Sequence, residues 1–131
     1  MKKTHSIIVW LFPILMTGTV SAGQLQECNA FASEINKNYP QRVDKITTVK
    51  GTVCTPDGRG IALEYYMIVD DEYASFLNQP LISAELQPKQ KNSWCSDPRQ
   101  RELLNLYSIR YRYFSQSQLF LGSAYINKKM C

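Results

Sequence analysis

The side chains of this 131-residue sequence that could carry out chemistry are few, and histidine is the scarcest. The one histidine, His5, lies in the first 22 residues. A Ser-His-Asp or Cys-His site needs an imidazole to move a proton near neutral pH, and histidine-ligated zinc needs one as a ligand. If the first 22 residues are removed on export, the remaining chain has none of these options.

Carboxylates are the other candidates for catalysis or metal binding. Glu64 with Asp70 or Glu72 could form a pair for glycoside hydrolysis. The run Asp70, Asp71 and Glu72 could bind calcium, but it lacks the alternating ligands of a calcium loop. Such a run is typical of a helix N-terminus, where negative charge is favourable. The sequence therefore predicts no catalytic residue, no metal site and no cofactor.

The first 22 residues have the three parts of a bacterial secretory signal peptide. Lys2 and Lys3 are basic, the apolar stretch 7–16 follows, and Val20 and Ala22 supply the small residues required before cleavage at Gly23. The apolar stretch is shorter than the roughly 20 residues of a membrane span. We predict a signal peptide over 1–22, a single domain over 23–131, a periplasmic or secreted location, and no stable membrane anchor after cleavage.

The four cysteines are Cys28, Cys54, Cys95 and Cys131. In an oxidising compartment four cysteines predict two disulfides, for which three connectivities are possible. Cys28 begins the first predicted helix and Cys54 ends the first predicted strand, which favours Cys28–Cys54 and leaves Cys95–Cys131. The sequence has no Cys-x-x-Cys pair of the kind used in redox sites, so we interpret both disulfides as structural.

The predicted elements form a helix, two strands, a second helix and two more strands. A frayed start over 23–27, a short helix over 70–79 and a loop over 81–93 complete the prediction. The main elements are a helix over 28–39, strands over 43–54 and 61–69, a helix over 97–107 capped by Asp97, and strands over 108–114 and 119–127. The strand over 61–69 is apolar on both faces and is expected to be central. We predict an α+β domain with a four-stranded antiparallel sheet and helices on one face.

The second half of the chain carries a recognisable pattern. Its parts are the stretch 94–98 (Trp-Cys-Ser-Asp-Pro), a leucine-bearing helix, the Tyr-Arg-Tyr strand at 111–113 and the terminal Cys131. The pattern resembles small periplasmic quorum-sensing-regulated virulence factors of Gram-negative bacteria, although the polar turn 115–118 replaces their usual Asp-Gly. The resemblance implies the fold and no catalytic residues. The pilotins of type II secretion have a broadly similar plan.

A candidate binding surface follows from alternation along the strand 108–114. Tyr111 and its neighbours at 109 and 113 should fill the core, so that Arg110 and Arg112 point outward. The predicted protein-binding residues are Arg110, Arg112, Phe114, Phe120 and Lys128. A plain solvated face would look the same in sequence.

The function predicted from these features is an exported, non-enzymatic envelope protein that binds another envelope protein as an adaptor, chaperone or inhibitor. Virulence is the process that the family resemblance suggests. The alternatives are a small carboxylate-dependent hydrolase and a structural component of a secretion or conjugation apparatus. The net charge is only +4, and two of the lysines lie in the first three residues. The sequence has no polybasic run, so we do not expect a nucleic-acid partner.

Overall fold

The computed structural model describes residues 21–131, and most of the predicted signal segment lies outside these residues. The helical elements are α1 (Ala22–Asn36), α2 (Asp71–Ala74), α3 (Gln79–Leu81), a π-helical turn (Ile82–Leu86), α4 (Gln87–Ser96), α5 (Pro98–Leu103) and a terminal 3-10 turn (Lys128–Met130). The strands are β1 (Gln41–Arg42), β2 (Thr47–Asp57), β3 (Gly60–Val69), β4 (Ser108–Ser115) and β5 (Phe120–Ile126). Over the described range, each helix is too short or too polar to cross a membrane.

The five strands form one mixed sheet in the order β1-β2-β3-β4-β5. The central pair, β3 and β4, is parallel, with Ala62 opposite Ser108 and Val69 opposite Ser115, and the other pairs are antiparallel. The predicted four-stranded antiparallel sheet is therefore wrong in two respects, the additional strand β1 and the parallel centre. Parallel neighbours require a long crossover, and the helical segment between Val69 and Ser108 supplies it.

The predicted loop over 81–93 is helical. Asn78 caps α3 by accepting a hydrogen bond from the N–H of Leu81 at 3.0 Å. Pro80 and Pro88 each lie in the first turn of a helix, where the missing N–H does no harm. Ile82 and Trp94 anchor the segment in the core, being 0% and 2% exposed. Because these two apolar residues do not recur at a regular helical spacing, the sequence shows no helical pattern here.

Helix ends account for several other differences between prediction and structure. Ser21 and Gln24 form a capping box, so α1 starts at Ala22 and the predicted frayed start over 23–27 is helical. The helix predicted over 70–79 shortens to α2. Asp97 caps α5 as predicted and accepts from the N–H of Arg99 at 2.9 Å. Leu106 falls within the helix predicted over 97–107, but it lies beyond the end of α5 and is 68% exposed.

The core lies between the helices and one face of the sheet. Buried Cys28, Ala32, Ile82, Trp94 and Leu104 from the helical segments and their ends pack against the inward residues of the strands. Those strand residues are Val49, Ile61, Leu63, Met67, Val69, Ile109, Tyr111, Tyr113, Ala124 and Ile126. Disulfides join Cys28 to Cys54 and Cys95 to Cys131, the pairing that the sequence favours.

Buried tyrosines make the stability of the fold sensitive to alkaline pH. Burial raises the pKa of Tyr113 to about 12 and also raises the pKa values of Tyr65 and Tyr111. In the unfolded chain these phenols ionise near pH 10. The neutral phenols therefore contribute fully to the free energy of unfolding below pH 10. That free energy falls as the pH rises from 10 toward the pKa values of the folded state.

We expect the free energy of unfolding to fall by up to about 1.4 kcal/mol per pH unit for each such tyrosine above pH 10. Urea titrations at pH 9, 10 and 11 measure this slope. The Tyr113→Phe variant should show a shallower decline than the unsubstituted chain. An unfolding free energy that stays constant from pH 9 to 11 would contradict the assignment.

Candidate functional site

The face of the sheet that points away from the core helices is called here the outer face. Alternation along β4 buries Ile109, Tyr111 and Tyr113 and turns Arg110, Arg112 and Phe114 to this face, as the sequence predicts. From the strand register, the neighbouring members of the outer face are Val53, Thr55, Glu64, Tyr66, Ile68, Phe120 and Tyr125.

One end of the outer face is a network of charged and hydroxyl groups around Arg110. Its Nη1 donates to Glu64 Oε2 at 2.5 Å, and its Nη2 lies 3.7 Å from Asp57 Oδ1. The hydroxyls of Ser108 and Tyr125 both donate to Asp57 Oδ2 at 2.5 Å. The Glu64 side chain is only 4% exposed and that of Arg110 is 28% exposed. Arg110 is thus committed to two carboxylates and belongs to the framework of the face.

The hydroxyl donors also fix the charge state of Asp57. Hydrogen bonds from Ser108 and Tyr125, with a smaller contribution from Arg110, hold the pKa of Asp57 below its usual value. Asp57 therefore remains ionised at neutral pH beside the Arg110 guanidinium. The two arginines on this face, Arg110 and Arg112, have two acidic neighbours, Asp57 and Glu64, so this end presents little net charge to a partner.

The other end of the outer face is an aromatic cluster. The ring centroids of Tyr66 and Phe114 are 5.8 Å apart, and those of Phe114 and Phe120 are 5.3 Å apart. The Arg112 guanidinium lies 5.6 Å from the Phe114 ring and 5.2 Å from the Phe120 ring, within cation–π range. Its Nη1 is 3.9 Å from Glu64 Oε1, beyond hydrogen-bond distance. Arg112 therefore joins the two ends of the face and retains donors for a ligand.

A hollow of about 510 Å³ opens beside the aromatic cluster. Its apolar lining comes from Val53, Tyr66, Ile68 and Phe114. The remaining lining residues are Asn36, Lys50, Gly51, Thr52 and Gln118. A bulge between Val49 and Gly51 accompanies this site. The hollow with Arg112 and Phe120 is called here the aromatic hollow.

Three of the five residues predicted to bind protein, Arg112, Phe114 and Phe120, belong to the aromatic hollow. Arg110 lies beside it in the polar network, and Lys128 lies elsewhere, lining a separate hollow with Leu104 and Asn105. Tyr66 and Ile68 are site residues that the sequence does not single out. Their signal is the second apolar face of β3, which in the sequence indicates only a central strand.

The acidic residues considered for catalysis do not converge. Six residues of extended chain separate Glu64 from Asp70, or about 20 Å. Asp70 instead pairs with Arg42 at 2.6 Å, and this bond lowers the pKa of Asp70. Asp71 accepts from the N–H of Ser117 at 3.2 Å. Among residues 21–131 no three histidine, cysteine or acidic side chains group as metal ligands would.

Comparison with known proteins places the fold. No family model matches the chain, and no curated protein matches it. The resemblance to quorum-sensing-regulated virulence factors is therefore not supported by these comparisons. Among solved structures, the chain is similar to a Pseudomonas aeruginosa protein described as secreted, at a TM-score of 0.64 and 14% identity over 85% of this chain and 98% of that one.

Two pilotins of type 2 secretion systems have a similar fold. EpsS from Vibrio vulnificus superposes with a TM-score of 0.64 at 14% identity, covering 83% of this chain and 92% of that one. AspS from Vibrio cholerae superposes with a TM-score of 0.57 at 15% identity, covering 83% and 93%. At such low identity the likeness defines a shared α+β fold, which is the class to which this chain can be assigned.

Proposed function

We propose that the chain is an exported, non-enzymatic envelope protein that binds another protein through the aromatic hollow. The observation that carries the proposal is the hollow itself, a concavity whose apolar part is formed by aromatic and aliphatic side chains and is flanked by Arg112. Aromatic residues and arginine are enriched at the centres of protein interfaces. The likeness to a secreted protein and to two type 2 secretion pilotins supports a role in the envelope, beside a secretion apparatus.

The geometry also indicates the chemistry of the partner. The apolar lining would take an aliphatic or aromatic anchor side chain, and burial of such a side chain contributes about 1.5–3 kcal/mol. Lys50, an exposed residue of the lining, and Arg112 beside the hollow favour a carboxylate on the partner. Each exposed ion pair adds only about 0.2–1 kcal/mol, so the anchor must supply most of the affinity.

A matched pair of valines tests the proposal. Val53 lines the hollow and is 38% exposed, whereas Val43 is 49% exposed and does not line it. We expect Val53→Arg to abolish recovery of a specific partner in affinity capture from envelope extract, because a long cation fills the hollow. Val43→Arg should leave that recovery unchanged. Equal recovery by both variants, each folded by circular dichroism, would refute the assignment of the surface.

The exported location rests on cleavage before Gly23, which we also propose. N-terminal sequencing of the protein isolated from the cell envelope should begin at Gly23. Cleavage there removes Ser21, the N-cap of α1, together with its capping box. We therefore expect the amides of the first turn of α1 to exchange rapidly in the processed protein. A product that still begins at Met1 would contradict the proposed processing.

A further inference from the structure

Within residues 21–131 the sheet has two edges whose backbone groups lack a neighbouring strand. One is β5, and the other consists of the short strand β1 and the part of β2 beyond its pairing with β1. An open edge presents unpaired N–H and C=O groups, on which another chain can add a strand. The hydrogen-bond partners of these edge groups therefore determine whether another chain can add a strand to the sheet.

Two glutamine side chains occupy the edge of β5. Ser123 N–H donates to Gln79 Oε1 at 2.8 Å, and Gln79 Nε2 donates to the Ser123 carbonyl at 2.9 Å. Tyr125 N–H donates to Gln87 Oε1 at 2.6 Å, and Gln87 Nε2 donates to the Tyr125 carbonyl. A primary amide offers one acceptor and a donor side by side, as a peptide group does. Each glutamine thus replaces one residue of a missing strand.

The fold places these glutamines by bringing their helical segment unusually close to β5. An ideal Cβ on Gly122 would lie 2.7 Å from Ile82 Cδ1 and 3.2 Å from Gln79 Cα, so that a side chain there would push the segment away. Gly122 also has a φ of 150°, which L side chains rarely adopt. The buried Ile82 and the π-helical turn lie between the two glutamines and hold both against the strand.

On the opposite edge, one amide side chain binds both backbone groups of a strand residue in the same way. Asn36, the last residue of α1, accepts from Thr52 N–H at 2.7 Å and donates to the Thr52 carbonyl at 2.9 Å. The next edge-facing residues along β2 are Cys54 and Pro56, since every second residue points the same way. Cys54 is tied to α1 through Cys28, and proline has no N–H to offer. On this edge, therefore, Asn36 occupies both backbone groups of Thr52, and Pro56 offers no donor to an added strand.

We propose that Gln79 and Gln87 at the β5 edge, together with Asn36 at Thr52 of β2, block strand addition by a second copy of this chain. Closed edges keep the protein monomeric. They also direct a partner to side-chain surfaces such as the outer face, a consequence that rests on the proposed function. The proposal about the sheet edges does not depend on a binding partner. Its test can therefore fail while the affinity-capture experiment succeeds, and the reverse.

The test is the double variant Gln79→Met and Gln87→Met, which keeps side-chain length and removes both amides. Gln26→Met, at an exposed position on α1, is the matched control. We expect sedimentation equilibrium to show concentration-dependent dimers for the double variant and monomers for the control and the unsubstituted chain. At low concentration the amides of Ser123 and Tyr125 should exchange about tenfold faster than in the unsubstituted chain, because each loses a hydrogen bond.

A folded double variant that stays monomeric at every concentration, with both amides exchanging rapidly, would overturn the proposal. If the double variant does not fold, the single variant Gln87→Met and the unsubstituted chain decide the question. Dimers of the single variant support edge closure. In the unsubstituted chain, the amides of Thr52, Ser123 and Tyr125 must be protected, and rapid exchange there would overturn the proposal without any variant.

Discussion

Replacing Arg110 by methionine should lower the free energy of unfolding by about 3–5 kcal/mol, because it leaves the buried Glu64 carboxylate without its partner. Glu64 Oε2 accepts from Arg110 at 2.5 Å, and its other oxygen is buried without a hydrogen-bond partner. Within residues 21–131 no other group lies within hydrogen-bond distance to compensate the charge, since Arg112 Nη1 is 3.9 Å from Glu64 Oε1. The loss should appear as a lower urea midpoint at neutral pH.

The matched control is Arg112→Met. Arg112 is more exposed and only approaches Glu64, so its replacement should cost less than about 1 kcal/mol. Equal losses of unfolding free energy in the two variants would contradict the different roles assigned here, in which Arg110 stabilises the fold and Arg112 is available to a ligand.

Removal of the disulfide between Cys95 and Cys131 should cost about 2–5 kcal/mol, the range for native disulfides of small secreted domains. This bond fastens the C-terminus to the end of α4, next to Trp94. The indole N–H of Trp94 donates to the Tyr111 hydroxyl at 2.7 Å inside the core. Detaching the terminus therefore loosens the helix that carries Trp94 into the core.

Urea denaturation of the Cys95→Ala and Cys131→Ala double variant measures the effect by circular dichroism. The Cys28→Ala and Cys54→Ala double variant should lose stability within the same range, since the two bonds close loops of similar length, 36 and 26 residues apart in sequence. The reducing agent dithiothreitol should bring the unsubstituted chain below either variant. Unfolding free energies that match the unsubstituted chain would show that the bonds contribute little.

Local signals in the sequence predicted the parts of the fold that depend on neighbours along the chain. Asp97 before Pro98 marked the start of α5, and alternation around Tyr111 assigned the two faces of β4. The helical segment from Gln79 to Ser96 could not be predicted in this way. Gln79 and Gln87 hold it against β5, and contacts across more than 35 residues leave no local pattern.

The parallel arrangement of β3 and β4 follows from that missed crossover. With a loop assumed between the two halves, each half closes as a hairpin and the simplest sheet is antiparallel. The candidate site also combines residues that local patterns predict with residues that only long-range pairing brings together. Phe114 and Phe120 were predicted from one strand pair, whereas Tyr66 and Ile68 meet them only because β3 and β4 are neighbours in register, with Ile68 opposite Phe114.

The most direct test of the central claim is photo-crosslinking in the organism that produces the protein. A photoreactive amino acid at position 53 points into the aromatic hollow, and the same group at position 43 lies outside it. We predict a discrete crosslinked protein from position 53 and none from position 43. A crosslinked partner from position 43 with none from position 53 would contradict the aromatic hollow as the binding surface.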